Sequence, residues 1–76
     1  MALSASDVMS DLEYDWLSVL HNKAQAIQAY EIYIQDAKAA QSQPCVEMFE
    51  KLMEQEAAQI KEVRSHLMSV MQHGKM

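Results

Sequence analysis

The chain has 76 residues, of which 50% are hydrophobic and 22% are charged, with one Gly, one Pro and one Cys. A chain of this size forms one domain and, as a compact monomer, buries only about 60–65% of the surface of its unfolded state. The scarcity of Gly and Pro excludes a turn-rich β-sandwich or a collagen-like repeat. The single Cys excludes an intramolecular disulfide framework and a multi-Cys zinc finger.

The charge balance bears on partners and location. Six Lys and Arg against eleven Asp and Glu give a net charge of -5, which disfavours nucleic acid and anionic membranes as partners. No apolar run reaches the roughly 18 residues that a membrane span needs. The first residues, MALSASDVMSDLE, lack the basic and apolar regions of a secretory signal. We therefore expect a single cytoplasmic, all-α domain over residues 1–76.

The first predicted helix spans about residues 7–41. Ser6 and Asp7 have side chains that suit an N-cap. Ser10 and Glu13 provide a second start in the form of a capping box, in which the two residues satisfy each other's free backbone N–H groups.

The break between the helices is predicted at about residues 42–44, in the sequence Gln-Ser-Gln-Pro. Pro44 favours the first turn of a helix and pushes the residue before it out of the helical conformation. Ser42 is the candidate N-cap of a second helix over about residues 45–72.

Apolar side chains recur with alternating spacings of three and four along both helices, as in antiparallel bundles. On the first helix this stripe runs through Glu13, Trp16, Leu20, Lys23, Ile27, Tyr30, Ile34 and Ala37. On the second helix it runs through Cys45, Phe49, Leu52, Glu56, Gln59, Val63, His66 and Val70, and is widened by Ile60 and Leu67.

Two long helices cover only part of each other's apolar surface. The side chains expected to remain uncovered are Trp16, Leu17, Leu20, Met48, Met53, Met68 and Met71. We therefore predict a long antiparallel helical hairpin that dimerises, or assembles further, into a ferritin-like four-helix bundle.

Three polar residues interrupt the middle of these stripes. Lys23 lies on the first helix, and Glu56 and Gln59 lie one turn apart on the second. A buried lone charge costs several kcal/mol unless it is paired. In di-iron helical bundles the same i, i+3 spacing is occupied by Glu-x-x-His, and each neighbouring helix adds a Glu.

The stretches KAQAIQAYEIYIQDAKAA and CVEMFEKLMEQEAAQIKEVRSHL resemble the first helical pair of a rubrerythrin-type ferritin-like domain. In that family the first helix carries a ligand Glu, an Ala three residues later and a Tyr seven residues later. The second helix carries a Phe seven residues before the Glu of Glu-x-x-His. Those positions are held here by Lys23, Ala26, Tyr30, Phe49 and Glu56. The resemblance extends from residue 23 to about residue 67.

The departures from this family pattern imply a degenerate metal site. Of the three ligand positions that a hairpin should supply, only Glu56 is retained, because Lys23 replaces the Glu and Gln59 replaces the His. A protonated ammonium cannot bind a metal, and an amide oxygen is a poor substitute for imidazole on iron. We predict that the three side chains form a polar clasp, in which Lys23 replaces the charge of the metal and the clasp fixes register and partner choice. In the alternative, one or more of the three point outward on a helix that is rotated from the predicted stripe.

The predicted function is a structural or interaction module that self-associates, without a cofactor. No nucleophile spacing or phosphate-binding loop favours an enzyme. The alternative is an iron- or zinc-binding ferritin-like protein with ferroxidase-like activity, whose candidate ligands are Glu31, Glu56, Gln59, His21, Glu62 and His66. A second alternative is a helical chaperone or adaptor that presents its Met-rich stripe to a partner helix.

Two further expectations concern single positions. In a hairpin that turns near residue 43, His21 and His66 should lie at about the same level. Cys45 follows Pro44 in the first turn of the second helix, where a thiolate is favoured, but a lone Cys on an apolar stripe is more often a packed hydrophobic residue.

Overall fold

The computed structural model describes residues 8–74. It forms an all-α hairpin in which helix α1 spans Asp11–Ala39, helix α2 spans Gln43–His73, and the two pack against each other. The predicted helical hairpin is therefore confirmed. The molecule measures 56 × 28 × 10 Å, so it is a single layer of two helices. In the described part of the chain, no helix has both the length and the apolar character needed to cross a bilayer.

Helix α1 begins at the second of its two predicted starts. Ser10 has an extended backbone, and its hydroxyl oxygen accepts a hydrogen bond from the backbone N–H of Glu13 at 3.1 Å. The side chain thereby satisfies one of the N–H groups that the first turn of a helix leaves unpaired. The other predicted start, at Ser6 and Asp7, lies outside the described residues.

The turn between the helices occupies residues 40–42, two residues earlier than predicted. Gln41 has a φ of 57°, in the left-handed region. Its backbone N–H donates to the carbonyl of Lys38, and that of Ser42 donates to the carbonyl of Ala37, both at 3.0 Å. These two bonds are a Schellman motif, which satisfies carbonyl groups at the end of α1 and reverses the chain.

Helix α2 begins two residues before its predicted start. Ser42 holds the predicted N-cap position, but its side chain makes no capping hydrogen bond. Pro44 lies in the first turn, as predicted, where its missing N–H costs nothing. The helix runs one residue beyond its predicted end, to His73. Gly74 then adopts a φ of 76° and donates its N–H to the carbonyl of Val70 at 2.7 Å.

The buried apolar side chains line the contact between the two helices: Ile34, Ala37, Val46, Val63, Leu67 and Val70. Every position of the predicted α1 stripe is buried or half-buried. The α2 stripe needs two corrections, because Cys45 and Gln59 are both exposed. Val46 takes the inward place expected for Cys45 and packs with Ile34 and Ala37 near the turn.

The hairpin leaves large apolar side chains in contact with solvent. Of the seven predicted to remain uncovered, Leu17, Met48, Met68 and Met71 are exposed, whereas Trp16, Leu20 and Met53 are half-buried. Further exposed apolar side chains are Val8, Leu12, Tyr14, Ile32 and Tyr33. Two helices alone therefore do not enclose the apolar surface of this chain.

Candidate polar site

Lys23 joins the two helices midway along the hairpin. Its Nζ donates to Oε1 of Glu56 at 3.1 Å and to Oε1 of Gln59 at 2.7 Å. The three side chains of the predicted clasp therefore meet. Glu56 and Gln59 lie one turn apart on the same side of α2, so a single ammonium from α1 reaches both oxygens.

The clasp lies at the edge of the helix contact. The Lys23 side chain is 25% exposed and that of Glu56 is 18% exposed, while Gln59 is open to solvent. The sequence predicts a place for Gln59 inside the α2 stripe, and this prediction is wrong. Only α1 packs against the stripe, so Gln59 at the edge of the stripe stays exposed to solvent. An ion pair at this partial exposure is worth about 1 kcal/mol.

Aromatic pairs flank the clasp along the hairpin. Towards the open end, the rings of Trp16 and His66 lie with their centroids 4.8 Å apart and their planes at 56°. Towards the turn, Tyr33 lies 5.6 Å from Phe49. Periodicity alone did not predict these pairs, because it gives the face of each helix but not the register between them.

The candidate metal ligands do not converge within one chain. Among residues 8–74, no group of three or more His, Cys, Asp or Glu side chains is placed to hold a metal ion. Glu31 and Glu62 point to solvent. Glu56 and Gln59 both accept hydrogen bonds from Lys23. A ligand set built from these residues would therefore need contributions from a second chain.

The two predicted metal-binding histidines are also separated. His66 packs against Trp16 instead of facing His21. His21 lines an open groove of about 520 Å³ on α1, together with Met9, Tyr14 and Leu17. The predicted level pairing of His21 with His66 is wrong, because the turn lies nearer the N-terminus than expected and shifts α2 along α1.

The donor set of the clasp does not fit a di-iron centre. A metal bound by Glu56 would have to approach the same carboxylate oxygen that accepts from Lys23 at 3.1 Å. The ammonium already supplies a positive charge at that point and has no lone pair to offer a metal. The site is therefore arranged for an ion pair with a bridging amide.

Comparisons with known proteins leave the family open. No family model matches the chain, and neither a curated protein nor a solved structure matches it significantly. The rubrerythrin-type resemblance therefore stays a prediction.

Proposed function

We propose that this chain is a ferritin-like helical hairpin that has exchanged its metal position for a polar clasp and acts as a structural and interaction module by self-association. The observation that carries the proposal is the contact of Lys23 with both Glu56 and Gln59. In this proposal the clasp fixes the register of α1 on α2, while uncovered apolar side chains provide the association energy.

The geometry of the clasp ties the position of α1 along α2 to the contacts of Lys23. A slip of α1 along α2 by one helical turn moves Lys23 by about 5.4 Å, so that its ammonium can no longer bond Glu56 and Gln59 together. Apolar contacts tolerate such a slip better, because any apolar side chain of suitable size replaces another. Polar contacts inside a helix pair are a known means of fixing register.

Exposed apolar side chains on both helices support self-association. Leu17, Ile32 and Tyr33 on α1 and Met48, Met68 and Met71 on α2 are all at least 40% exposed. Covering such side chains with those of a second copy removes apolar surface from water, which is favourable by about 25 cal/mol per Å².

The direct test of the clasp compares Lys23→Met with the double variant Lys23→Met/Glu56→Met. Lys23→Met leaves Glu56 unpaired and is expected to destabilise the hairpin by about 1 kcal/mol. The double variant removes both charges, so it should recover that stability but lose unique packing, seen as broadened amide resonances or several species by light scattering. A double variant with one mass and a sharp spectrum would show that the clasp has no specifying role.

The test of the assembly and of the cofactor prediction uses the unmodified chain. The protein is incubated with Fe(II) without oxygen, desalted, and analysed by plasma mass spectrometry and by light scattering. We expect a metal-free species of at least twice the 8.7 kDa chain mass. A monomer would overturn the self-association proposal, and stoichiometric iron would replace the clasp with the metal-binding alternative.

The ferritin-like origin has a separate test. Lys23→Glu combined with Gln59→His restores the carboxylate and imidazole positions of the family pattern, so this variant is expected to bind iron in the same assay. Lys23→Gln combined with Gln59→His lacks the carboxylate and serves as the matched control. Equal iron content in the two variants would remove the support for a former metal site.

A further inference from the structure

Helix α1 carries a second apolar stripe, offset from the one that faces α2. Leu12, Val19, Ala26 and Tyr33 recur every seven residues. Together with Trp16, Lys23 and Tyr30 between them, they repeat the alternating spacing of three and four that is typical of helix interfaces. We refer to these seven residues as the edge stripe.

The edge stripe lies along one broad side of the hairpin. Three residues of this stripe contact α2. Trp16 packs against His66, and Tyr33 packs against Phe49. Lys23 donates hydrogen bonds to Glu56 and Gln59. The four residues that recur every seven positions are incompletely covered by α2. Leu12 is 45% and Tyr33 is 44% exposed, and Val19 and Ala26 are half-buried.

The middle of α1 carries almost no charge that would oppose contact with a partner. Between Trp16 and Tyr30, which spans about four helical turns, Lys23 is the single Asp, Glu, Lys or Arg, and it is paired with Glu56. A partner helix on this segment would therefore bury no unpaired Asp, Glu, Lys or Arg of α1.

Building on the proposed self-association, we propose that the occupant of the edge stripe is the same stripe of a second copy, with the two α1 helices antiparallel and a two-fold axis between residues 24 and 25. This arrangement places Lys23 opposite Ala26, Val19 opposite Tyr30, and Trp16 opposite Tyr33 of the partner subunit. In two of these three layers a larger side chain faces a smaller one, which allows close packing.

Electrostatics are compatible with a second copy as the occupant. The axis brings the two clasps close together, but each Lys23 is already neutralised by a carboxylate of its own chain. No unpaired charge is therefore buried, which would cost several kcal/mol. The contact would also cover apolar side chains that the hairpin leaves in solvent, namely Leu12, which is 45% exposed, and Tyr33, which is 44% exposed.

The first test places one carboxylate inside or outside the edge stripe. Ala26→Glu introduces a charge into the edge stripe, whereas Ala24→Glu makes the same change outside the stripe, at an exposed position on α1. We expect Ala26→Glu to weaken dimerisation at least tenfold by sedimentation equilibrium and Ala24→Glu to change it less than twofold. Far-UV circular dichroism checks that both variants keep their helices.

The outcomes separate the two proposals. A wild-type chain that is monomeric overturns the proposed function itself. A dimer that withstands Ala26→Glu overturns the edge stripe as its interface but leaves self-association standing.

The second test measures orientation without changing the sequence. Cys45 is the only Cys, is exposed and lies at the turn end beside Val46, which packs on Ala37. A spin label there should give a distance of about 40 Å across an antiparallel dimer, from twice the 12–13 residues to the axis at 1.5 Å each. A distance below about 20 Å would mean that the turns lie together and would overturn the proposed arrangement.

Discussion

Helix α2 carries charged side chains along its solvent side, whereas the middle of α1, between Trp16 and Tyr30, carries one charged side chain, that of Lys23. The exposed charges of α2 include Glu47, Glu50, Lys51, Glu54, Lys61, Glu62 and Arg64. Its buried apolar side chains lie on one side, as expected of a helix with solvent behind it, and Met48 and Met68 are exposed. Between Trp16 and Tyr30, helix α1 has only uncharged side chains apart from Lys23. In the proposed assembly this difference suits α1 to an inner position and α2 to an outer one.

The largest loss of stability is expected from a charge placed on the buried side of α2. Val70 is 1% exposed, whereas its neighbour Met71 is 60% exposed. Val70→Asp buries a carboxylate without a partner and should cost more than about 3 kcal/mol, enough to unfold a hairpin of this size. Met71→Asp should stay within about 0.5 kcal/mol. Urea titrations followed by circular dichroism measure both, and equal stabilities would contradict the assigned inner side of α2.

The next prediction compares exposed apolar residues on the two helices. Leu12 on α1 and Met68 on α2 are 45% and 60% exposed. Leu12→Glu should weaken dimerisation about tenfold, which is about 1.4 kcal/mol, because the carboxylate enters the edge stripe. Met68→Glu should have little effect. A stronger effect at Met68, measured by sedimentation, would reverse the assignment of inner and outer helix.

A smaller effect distinguishes the starts of the two helices. Ser10 caps α1 through a hydrogen bond to the Glu13 N–H, whereas the side chain of Ser42 makes no such bond. Ser10→Ala should cost about 1 kcal/mol, and Ser42→Ala only a few tenths. Thermal unfolding of the two variants provides the measurement. A loss for Ser42→Ala as large as for Ser10→Ala would show that the caps are equivalent.

The smallest changes in stability are expected at the C-terminal ends of the helices. Gly74 directly follows α2 and Gln41 lies in the turn after α1, and both have a positive φ. A side chain is disfavoured in this conformation, so Gln41→Gly should stabilise the hairpin by about 0.5–1 kcal/mol. Gly74→Ala should destabilise it by a similar or smaller amount, because the Cβ meets no atom within 4 Å and only the backbone strain remains. Opposite signs in the two unfolding curves are the expected result.

The sequence predicted the helices better than their register. The stripe on α1, the N-cap at Ser10 and the meeting of Lys23 with Glu56 all follow from local spacing or from the family resemblance. The turn was expected two residues too late, and such an error moves each cross-helix pairing by about four residues, or one helical turn. His66 therefore meets Trp16 instead of His21.

A different physical reason explains the misplaced Cys45 and Gln59. Adjacent helical residues are about 100° apart, so the edge of an apolar stripe is defined only to within one residue. Val46, next to Cys45, is the better apolar side chain and takes the inner position. Gln59 remains exposed because a single partner helix covers only one side of the stripe.

The three-residue turn has a consequence for the topology of the chain. If Gln41 adopted a helical φ, α1 and α2 would join into one rod from residue 11 to residue 73, roughly 95 Å long. Two such rods can exchange their second halves, which is domain swapping. Pro44 opposes this, because inside a continuous helix it loses the bond to the Ala40 carbonyl and clashes with it, at a cost of about 3 kcal/mol. Pro44, the one proline of the chain, thus disfavours the swapped form and favours packing of each α2 against the α1 of its own chain.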